Sequence, residues 1–230
     1  MSGLTRLIAP VAIRLHRFSS ALLRRCRRDL NNRLWSNMEL RRFAPLFRGD
    51  VINVSGWDDR DKEGGRYQNY FTGRTSYAIS NIAGERGESG LENEFFLDLT
   101  KDLPADMRER FDVVFNHTTL EHIYEIGKAT ANLCAMSRDV VIIVVPFAQQ
   151  VHFDEGSFLD FWRPTPFALA TMLEENGFEM LYCTRNDNDV YPIYTFCVAS
   201  KHPERWRQRF PGSLAQSTAA SRARLAAQQR

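Results

Sequence analysis

The segment Asn116-His117-Thr118-Thr119-Leu120-Glu121-His122 sets two imidazoles and a carboxylate together, directly after the apolar run Phe111-Asp112-Val113-Val114-Phe115. Imidazole changes charge near neutral pH, so His117 and His122 are candidates for a general base, with Glu121 as orienting group. Further on, His152 adds a third imidazole and Asp160-Phe161-Trp162-Arg163 an acid–base couple. His152 joins the candidate catalytic groups. Asp160 and Arg163 are candidates for substrate binding, Arg163 being suited to an anionic group. A plain structural account competes with each. Thr118 or Thr119 can cap a helix with Glu121 in its first turn, and an Asp160–Arg163 pair on a surface carries little energy.

Smaller polar signals follow other apolar runs. Ser55-Gly56-Trp57 after Asp50-Val51-Ile52-Asn53-Val54 reads as a turn where backbone N–H groups can approach a ligand. Asn81 closes Tyr77-Ala78-Ile79-Ser80, where a ribose-binding sheet usually carries a carboxylate. Asp98, before Leu99, closes Glu94-Phe95-Phe96-Leu97; it can accept from an exocyclic amine or cap a turn.

The elements that hold these groups alternate. Strands are expected at 50–55, 77–81, 94–98, 111–116, 140–146, 178–183 and 191–199. Helices are expected from about Leu120 to Met136 and from Pro166 to Asn176, the second ended by Gly177. Val140-Val141-Ile142-Ile143-Val144-Val145 is apolar on both faces, as a central parallel strand must be. The last two strands, joined by the polar stretch from Arg185 to Asp189, suit an antiparallel pair. This is an α/β pattern with a mostly parallel sheet, and such sheets bind ligands beyond the carboxyl ends of their strands.

The formal charge of +2 over 230 residues is a cancellation. Residues 1–48 hold eleven Arg and two acids, a net +9; residues 49–202 come to −12; residues 203–230 come to +5. This divides the chain into a basic amphipathic segment (1–48), an α/β domain (49–202) and a basic, flexible tail (203–230). Leu4, Ile8, Val11, Leu15, Phe18 and Leu22 share one helical stripe, and Arg6, Arg14, Arg17, Arg24 and Arg28 lie off it, in a helix expected to begin near Pro10. Three readings stay open for it: a lid packed on the domain, a transit peptide, or a helix lying on an anionic membrane through residues 4–28. No apolar run is long enough to span a bilayer. The basic segment carries no nucleic-acid motif and its neighbour is acidic, so no nucleic acid is expected. Cys134, Cys183 and Cys197 fall in apolar stretches and read as buried thiols. No His or Cys spacing fits a zinc site. The expected location is the cytoplasm, with peripheral contact at a membrane.

Phe111-Asp112-Val113-Val114-Phe115-Asn116, Leu120-Glu121-His122-Ile123 and Val140 to Pro146 together resemble the fourth strand, helix and fifth strand of class I S-adenosylmethionine-dependent methyltransferases. The stretch His152 … Asp160-Phe161-Trp162-Arg163-Pro164 and Glu175-Asn176-Gly177-Phe178 is similar to methyltransferase-like proteins of surface-glycan biosynthesis. The resemblance covers residues 49–200. It implies a Rossmann-like seven-stranded sheet with an antiparallel last strand, helices on both faces, and S-adenosylmethionine as cofactor. Carried over by position, Ser55, Gly56 and Trp57 face the methionine part, Asn81 the ribose, Asp98 and Leu99 the adenine, and Asn116 and His117 the sulfonium side. The implied substrate is a polar small molecule, a glycan or a lipid-linked sugar. A divalent metal at Glu121, His122 and His152 is a minor variant, because Thr118 stands where some relatives carry a further carboxylate; no metal is expected. The chain departs from the family at two points. The glycine-rich turn is reduced to Asn53-Val54-Ser55-Gly56-Trp57-Asp58, and the ribose acid is Asn81. A non-catalytic, methyltransferase-like module recruited by its basic front helix is therefore the alternative function.

Overall fold

A computed structural model describes residues 3–26, 31–82, 90–186 and 192–210, without the side chains of residues 3–7 and Arg24. Residues 83–89, 187–191 (Tyr191 among them) and 211–230, and Arg28, lie outside the described residues, as do the side chains of Leu4 and Arg6.

Seven strands form one sheet: β1 (Arg48–Val54), β2 (Gly73–Asn81), β3 (Glu94–Phe96), β4 (Phe111–His117), β5 (Ser137–Ala148), β6 (Glu179–Arg185) and β7 (Ile193–Ser200). Their order is β3-β2-β1-β4-β5-β7-β6. Strands β1 to β5 run parallel, while β7 pairs antiparallel with both β5 and β6. The expected α/β sheet with an antiparallel last strand is the one observed. The sheet reverses its order at β1/β4, with Val54 opposite Asn116, and a polar edge forms there because both strands end together.

The side-chain period of two sorts the core into two layers. Ile52, Val54, Val114, Val141, Ile143, Val145, Cys197 and Ala199 point to one face, covered by α3 (Ile126–Met136) and α4 (Pro166–Glu175). Val51, Val113, Phe115, Val140, Ile142, Val144, Phe196 and Val198 point to the other. There the cover is α2 (Asn32–Phe43), the connection after β1, and Trp206 and Phe210 near the chain's end. Both flanking segments thus supply core: Leu40, Phe43, Phe47 and Phe210 are buried. Phe43 sits 4.7 Å from the ring of Tyr182 and 4.8 Å from that of Phe210.

Four local expectations are corrected. The segment from Leu120 does not run as one helix. A single 3-10 turn, Leu120–His122, precedes α3, and Ile123 between them is extended (ψ 116°). Neither Thr caps: Thr118 has φ +51° and Thr119 makes no capping side-chain bond. The first helix, α1 (Gly3–Cys26), contains Pro10 instead of starting at it, which costs one backbone bond while proline's fixed φ stays helical. Finally, α1 is no lid. Ile8, Val11, Leu15, Phe18 and Leu22 are all exposed, Phe18 at 70%. No described helix is long and apolar enough to cross a membrane. Cys134, Cys183 and Cys197 are buried thiols, and Cys26 is exposed.

This layering separates two phenylalanines of like chemistry. Phe43→Ala should lower stability in urea unfolding by about 3–5 kcal/mol through the cavity it leaves. Phe18→Ala, on α1, should change it by less than about 0.5 kcal/mol.

Candidate functional site

Ser55, Gly56, Asn81 and Asn116, which the sequence offers as cofactor-side candidates, lie along one edge of the sheet. Gly56 N–H donates to Ser80 O at 3.2 Å, Asn116 Nδ2 donates to Val54 O at 2.9 Å, and Leu97 N–H donates to Asn81 O at 2.9 Å. Asn116 Oδ1 and Ser80 Oγ are buried there without a hydrogen-bond partner. Two orphaned acceptors at a strand-end edge are what a bound polar ligand would satisfy. Ser55 and Trp57 hold left-handed backbone (φ +57° and +48°), which turns the chain sharply after β1. Gly56 between them is obligatory in a steric sense: a Cβ there would lie 2.6 Å from Asn53 Nδ2. Trp57 is 44% exposed at the lip.

Asn81 has a second occupation. Its Oδ1 accepts from Trp57 N–H at 2.7 Å, and its Nδ2 donates to Trp57 O at 3.0 Å and to Glu94 Oε1 at 2.5 Å. It clamps the β1 turn to the sheet and brings the Glu94 carboxylate beside it. Asp98 Oδ1 accepts from Thr100 N–H and Oγ1, a turn cap, and Leu99 is buried in the core. Glu94 was missed in the sequence because it opens β3 instead of closing β2.

The turn itself is held from within by Asp59 and Asp61. Asp59 accepts from Asn53 Nδ2 at 2.8 Å, Tyr77 Oη at 2.6 Å and Gln68 N–H at 3.0 Å, yet burial still pushes its carboxyl up. Asp61 accepts from Tyr70 Oη at 2.7 Å and from the N–H groups of Glu63 and Gly65, both at 2.8 Å. Burial opposes its charge, but these donors hold its carboxyl below the usual range. From α2, Asn37 donates to Asp61 O and Arg41 pairs with Glu63 at 2.8 Å and hydrogen-bonds Tyr70 Oη.

His117 does not reach this edge as a free base. It points to the α2 face, stacked on Tyr67 at 5.8 Å, with Arg33 Nη1 2.7 Å from Nδ1 and Ser36 Oγ 2.9 Å from Nε2. Burial, then the Arg33 charge, drive its pKa well below the usual imidazole value. Buried between α2 and the sheet, it has the surroundings of a structural histidine, whereas its place after β4 in the sequence makes it a catalytic candidate. Arg33, which also donates to Thr118 Oγ1 and Tyr67 Oη, gave no sequence signal because it sits in the remote basic segment.

Glu121, His122 and His152 do converge: one ligand atom from each lies within 4.8 Å of the others. The loop after β5 is stapled to the 3-10 turn, since Glu121 O accepts from Phe161 N–H at 2.8 Å and Trp162 N–H at 3.2 Å. His122 Nδ1 lies 2.6 Å from Leu159 O and therefore carries its proton there, leaving Nε2 toward Glu121 Oε1 at 3.6 Å. Burial pushes the His122 pKa down. Burial also pushes the Glu121 carboxyl up to about 8, with Asp160 adding to the rise. His152 Nδ1 lies 3.1 Å from Asp160 Oδ2. Asp160 in turn accepts Arg163 Nη1 at 2.6 Å, Arg163 Nη2 at 2.5 Å and His152 N–H at 2.8 Å. Burial opposes its charge, but Arg163 and these bonds hold its carboxyl at about 2. Arg163 also donates to the carbonyls of Gln149, Gln150 and Trp162. Asp160 is thus an orienting group for His152, and Arg163 a clamp for the loop, where both were expected to meet substrate. Tyr124, Phe153, Phe161 and Trp162 stay exposed around them.

A cavity of about 300 Å³ lies at the opposite, amino-terminal edge of the sheet, lined in part by Asp112, Arg138, Asp139 and Arg205. Its charges pair with one another, Arg138 with Asp112 at 2.9 Å and Arg205 with Asp139 at 3.8 Å, and it holds none of the chemistry above.

No family model and no curated protein matches the sequence. Solved structures do. The 1,6-didemethyltoxoflavin-N1-methyltransferase of Burkholderia thailandensis aligns with a TM-score of 0.52 at 18% identity, over 87% of this chain and 91% of its own. A candidate S-adenosylmethionine-dependent methyltransferase from Listeria monocytogenes aligns with a TM-score of 0.53 at 12% identity, over 72% and 97%. The 4+2 cyclase SpnF aligns with a TM-score of 0.50 at 11% identity, over 71% and 80%. At these identities the likeness is one of fold, that of class I S-adenosylmethionine-dependent methyltransferases, and the same fold also carries a cyclase. None of these neighbours supports the similarity to surface-glycan proteins.

The raised Glu121 carboxyl fixes a sign for stability against pH. The folded state keeps the proton to about pH 8, whereas the unfolded chain releases it near 4.5. The stabilisation is complete below the unfolded value and is lost as pH rises toward 8. In chelator-containing buffer the urea midpoint should fall between pH 5 and pH 8, and Glu121→Gln should flatten that fall.

Proposed function

We propose that this chain is an S-adenosylmethionine-dependent methyltransferase acting on a polar small molecule, a glycan or a lipid-linked sugar. The observation that carries the reading is the strand order β3-β2-β1-β4-β5-β7-β6 with polar groups at the carboxyl ends of β1, β2 and β4. The Burkholderia neighbour of the same fold was crystallised with S-adenosylhomocysteine. When bound, the cofactor supplies an electrophilic methyl group on a sulfonium. The Trp57 indole is the aromatic face for that cation. Glu94, beside Asn81, offers the carboxylate for ribose hydroxyls. Asp98 and Leu99 border the adenine, and Ser55, Gly56 and Asn116 the methionine part.

Transfer to oxygen needs an aligned acceptor that has lost its proton. His152 is the base this arrangement favours. Its Nδ1 lies 3.1 Å from both Asp160 Oδ2 and Gln149 Nε2, and its side chain is 38% accessible. His122 has its Nδ1 tied to Leu159, and Glu121 beside it is buried. The exposed rings of Tyr124, Phe161 and Trp162 give the acceptor an apolar flank.

Calorimetry of the full chain with S-adenosylmethionine and S-adenosylhomocysteine tests this reading. Saturable binding is expected, weakened about tenfold in Glu94→Gln and unchanged in His152→Ala. Absence of heat with either ligand at about 1 mM would sink it.

One observation favours the second reading, a module recruited to a membrane. The exposed apolar stripe of α1 runs beside Arg14, Arg17 and Arg25, with no acid in the helix, the composition of an interfacial helix on anionic lipid. The full chain should sediment with phosphatidylglycerol vesicles and not with phosphatidylcholine ones. A chain lacking residues 1–30 should stay in solution with its circular dichroism otherwise retained. A full chain that ignores anionic vesicles removes the membrane from both readings.

A further inference from the structure

We propose that Glu121, His122 and His152 form a binding site for a divalent first-row transition ion, with Asp160 as the group that orients one ligand. Three features carry it, and none depends on methyl transfer.

The first is the donor set. One carboxylate oxygen and two imidazole nitrogens lie within 4.8 Å of one another. Bound at about 2.0–2.2 Å to one ion, such atoms stand about 3–3.5 Å apart, so small side-chain adjustments close the site. Two imidazoles and one carboxylate favour zinc, iron or manganese over magnesium or calcium, whose sites are built from oxygen.

The second is polarity. His122 spends its Nδ1 proton on Leu159 O, so Nε2 presents a lone pair toward Glu121 Oε1 at 3.6 Å. At that distance the two do not hydrogen-bond, and an ion bound there would displace the proton that Glu121 otherwise keeps. Glu121 Oε2 is buried with no hydrogen-bond partner, its residue only 1% exposed. A buried acceptor left unsatisfied costs about 1–3 kcal/mol. An ion between the three side chains turns each of these lone pairs into a ligand.

The third is support from behind. His152 Nδ1 lies 3.1 Å from both Asp160 Oδ2 and Gln149 Nε2, and its backbone N–H donates to Asp160 Oδ2 at 2.8 Å, so Asp160 and Gln149 fix where the imidazole stands. Asp160 is pinned by Arg163, and His122 by Leu159. The accessible edge of His152 leaves a path for the ion to enter. Three protein ligands leave coordination positions open for water or a substrate oxygen.

A consequence rests on the methyl-transfer reading. With an ion bound, His152 would be a ligand and not the base, and the ion would supply Lewis acidity toward an acceptor hydroxyl.

The full chain, stripped with chelator, should be titrated with Zn²⁺ and with Mn²⁺ by calorimetry, with Co²⁺ absorption as a reporter of imidazole ligation. One ion per chain is expected. Glu121→Gln and His152→Ala should each weaken it at least tenfold, Asp160→Asn about tenfold, and His202→Ala, on an exposed side chain, should leave it unchanged. If Glu121→Gln fails to fold by circular dichroism, His152→Ala carries the test alone. No binding of either ion at about 1 mM, or equal affinity in the wild type and His152→Ala, overturns the proposal. Cofactor calorimetry fails or succeeds independently, so a lost methyl-transfer reading and a lost metal site are told apart.

Discussion

Two buried carboxylates, Asp59 and Asp61, hold the connection between β1 and β2, and the polar edge at the ends of β1, β2 and β4 leans on them. Parallel neighbours need a crossover, and a helix usually supplies it because a helix satisfies its own backbone. Residues 55–72 contain only one 3-10 turn, Tyr67–Asn69. Their backbone donors must be met some other way. Asp59 and Asp61 meet those of Gln68, Glu63 and Gly65, and their remaining oxygens take Asn53, Tyr77 and Tyr70. The left-handed residues Ser55, Trp57 and Asp59 are tolerated because this network over-determines their positions.

The missing crossover helix also leaves one face of the sheet short of cover, and α2 fills it. Leu40 and Phe43 enter the core, while Asn37 and Arg41 tie α2 to the Asp61 loop. This has a chemical consequence. Docked there, α2 brings its first turn to the tip of β4, where Arg33 meets His117 and Thr118. Side chains alternate along β4, so Asn116 and His117 face opposite layers. The α2 face consumes His117 as structure. Accessible chemistry is left to the turn at Glu121 and the loop carrying His152.

That partition explains what could be read from residues alone. The seven strands and α4 were legible because each is a run of apolar or β-branched residues ended by a polar or glycine signal. The edge formed by Ser55, Gly56, Asn81 and Asn116 was legible for the same reason, since strand ends are fixed once strands are. Roles were less legible. His117 and His122 look equivalent in the chain, and only packing from residues 33–36 separates them. Asp160 and Arg163 look like substrate groups, but their bidentate pair faces inward and backs His152. The break between Leu120 and Ile126 was hidden because Leu120, Ile123 and Leu133 keep helical spacing across an extended residue. Glu94 was hidden because its reach is lateral, across strands.

The basic front of the chain is two things, though its charge count is one number. Arg33 and Arg41 are spent inside the body, on His117, Tyr67, Glu63 and Asp61. They offset buried carboxylates and anchor α2. The arginines of α1 play no such part. Arg14, Arg17 and Arg25 are exposed, on a helix whose apolar stripe is exposed as well. A helix held only by its own hydrogen bonds is marginal in water, and most helical stability comes from burying an apolar face. Covering Ile8, Val11, Leu15, Phe18 and Leu22 would contribute on the order of 1.5–3 kcal/mol each. Nothing in the described body does so. Among the described residues the stripe stays open beside Arg14, Arg17 and Arg25, a pattern that a surface of opposite charge would complement.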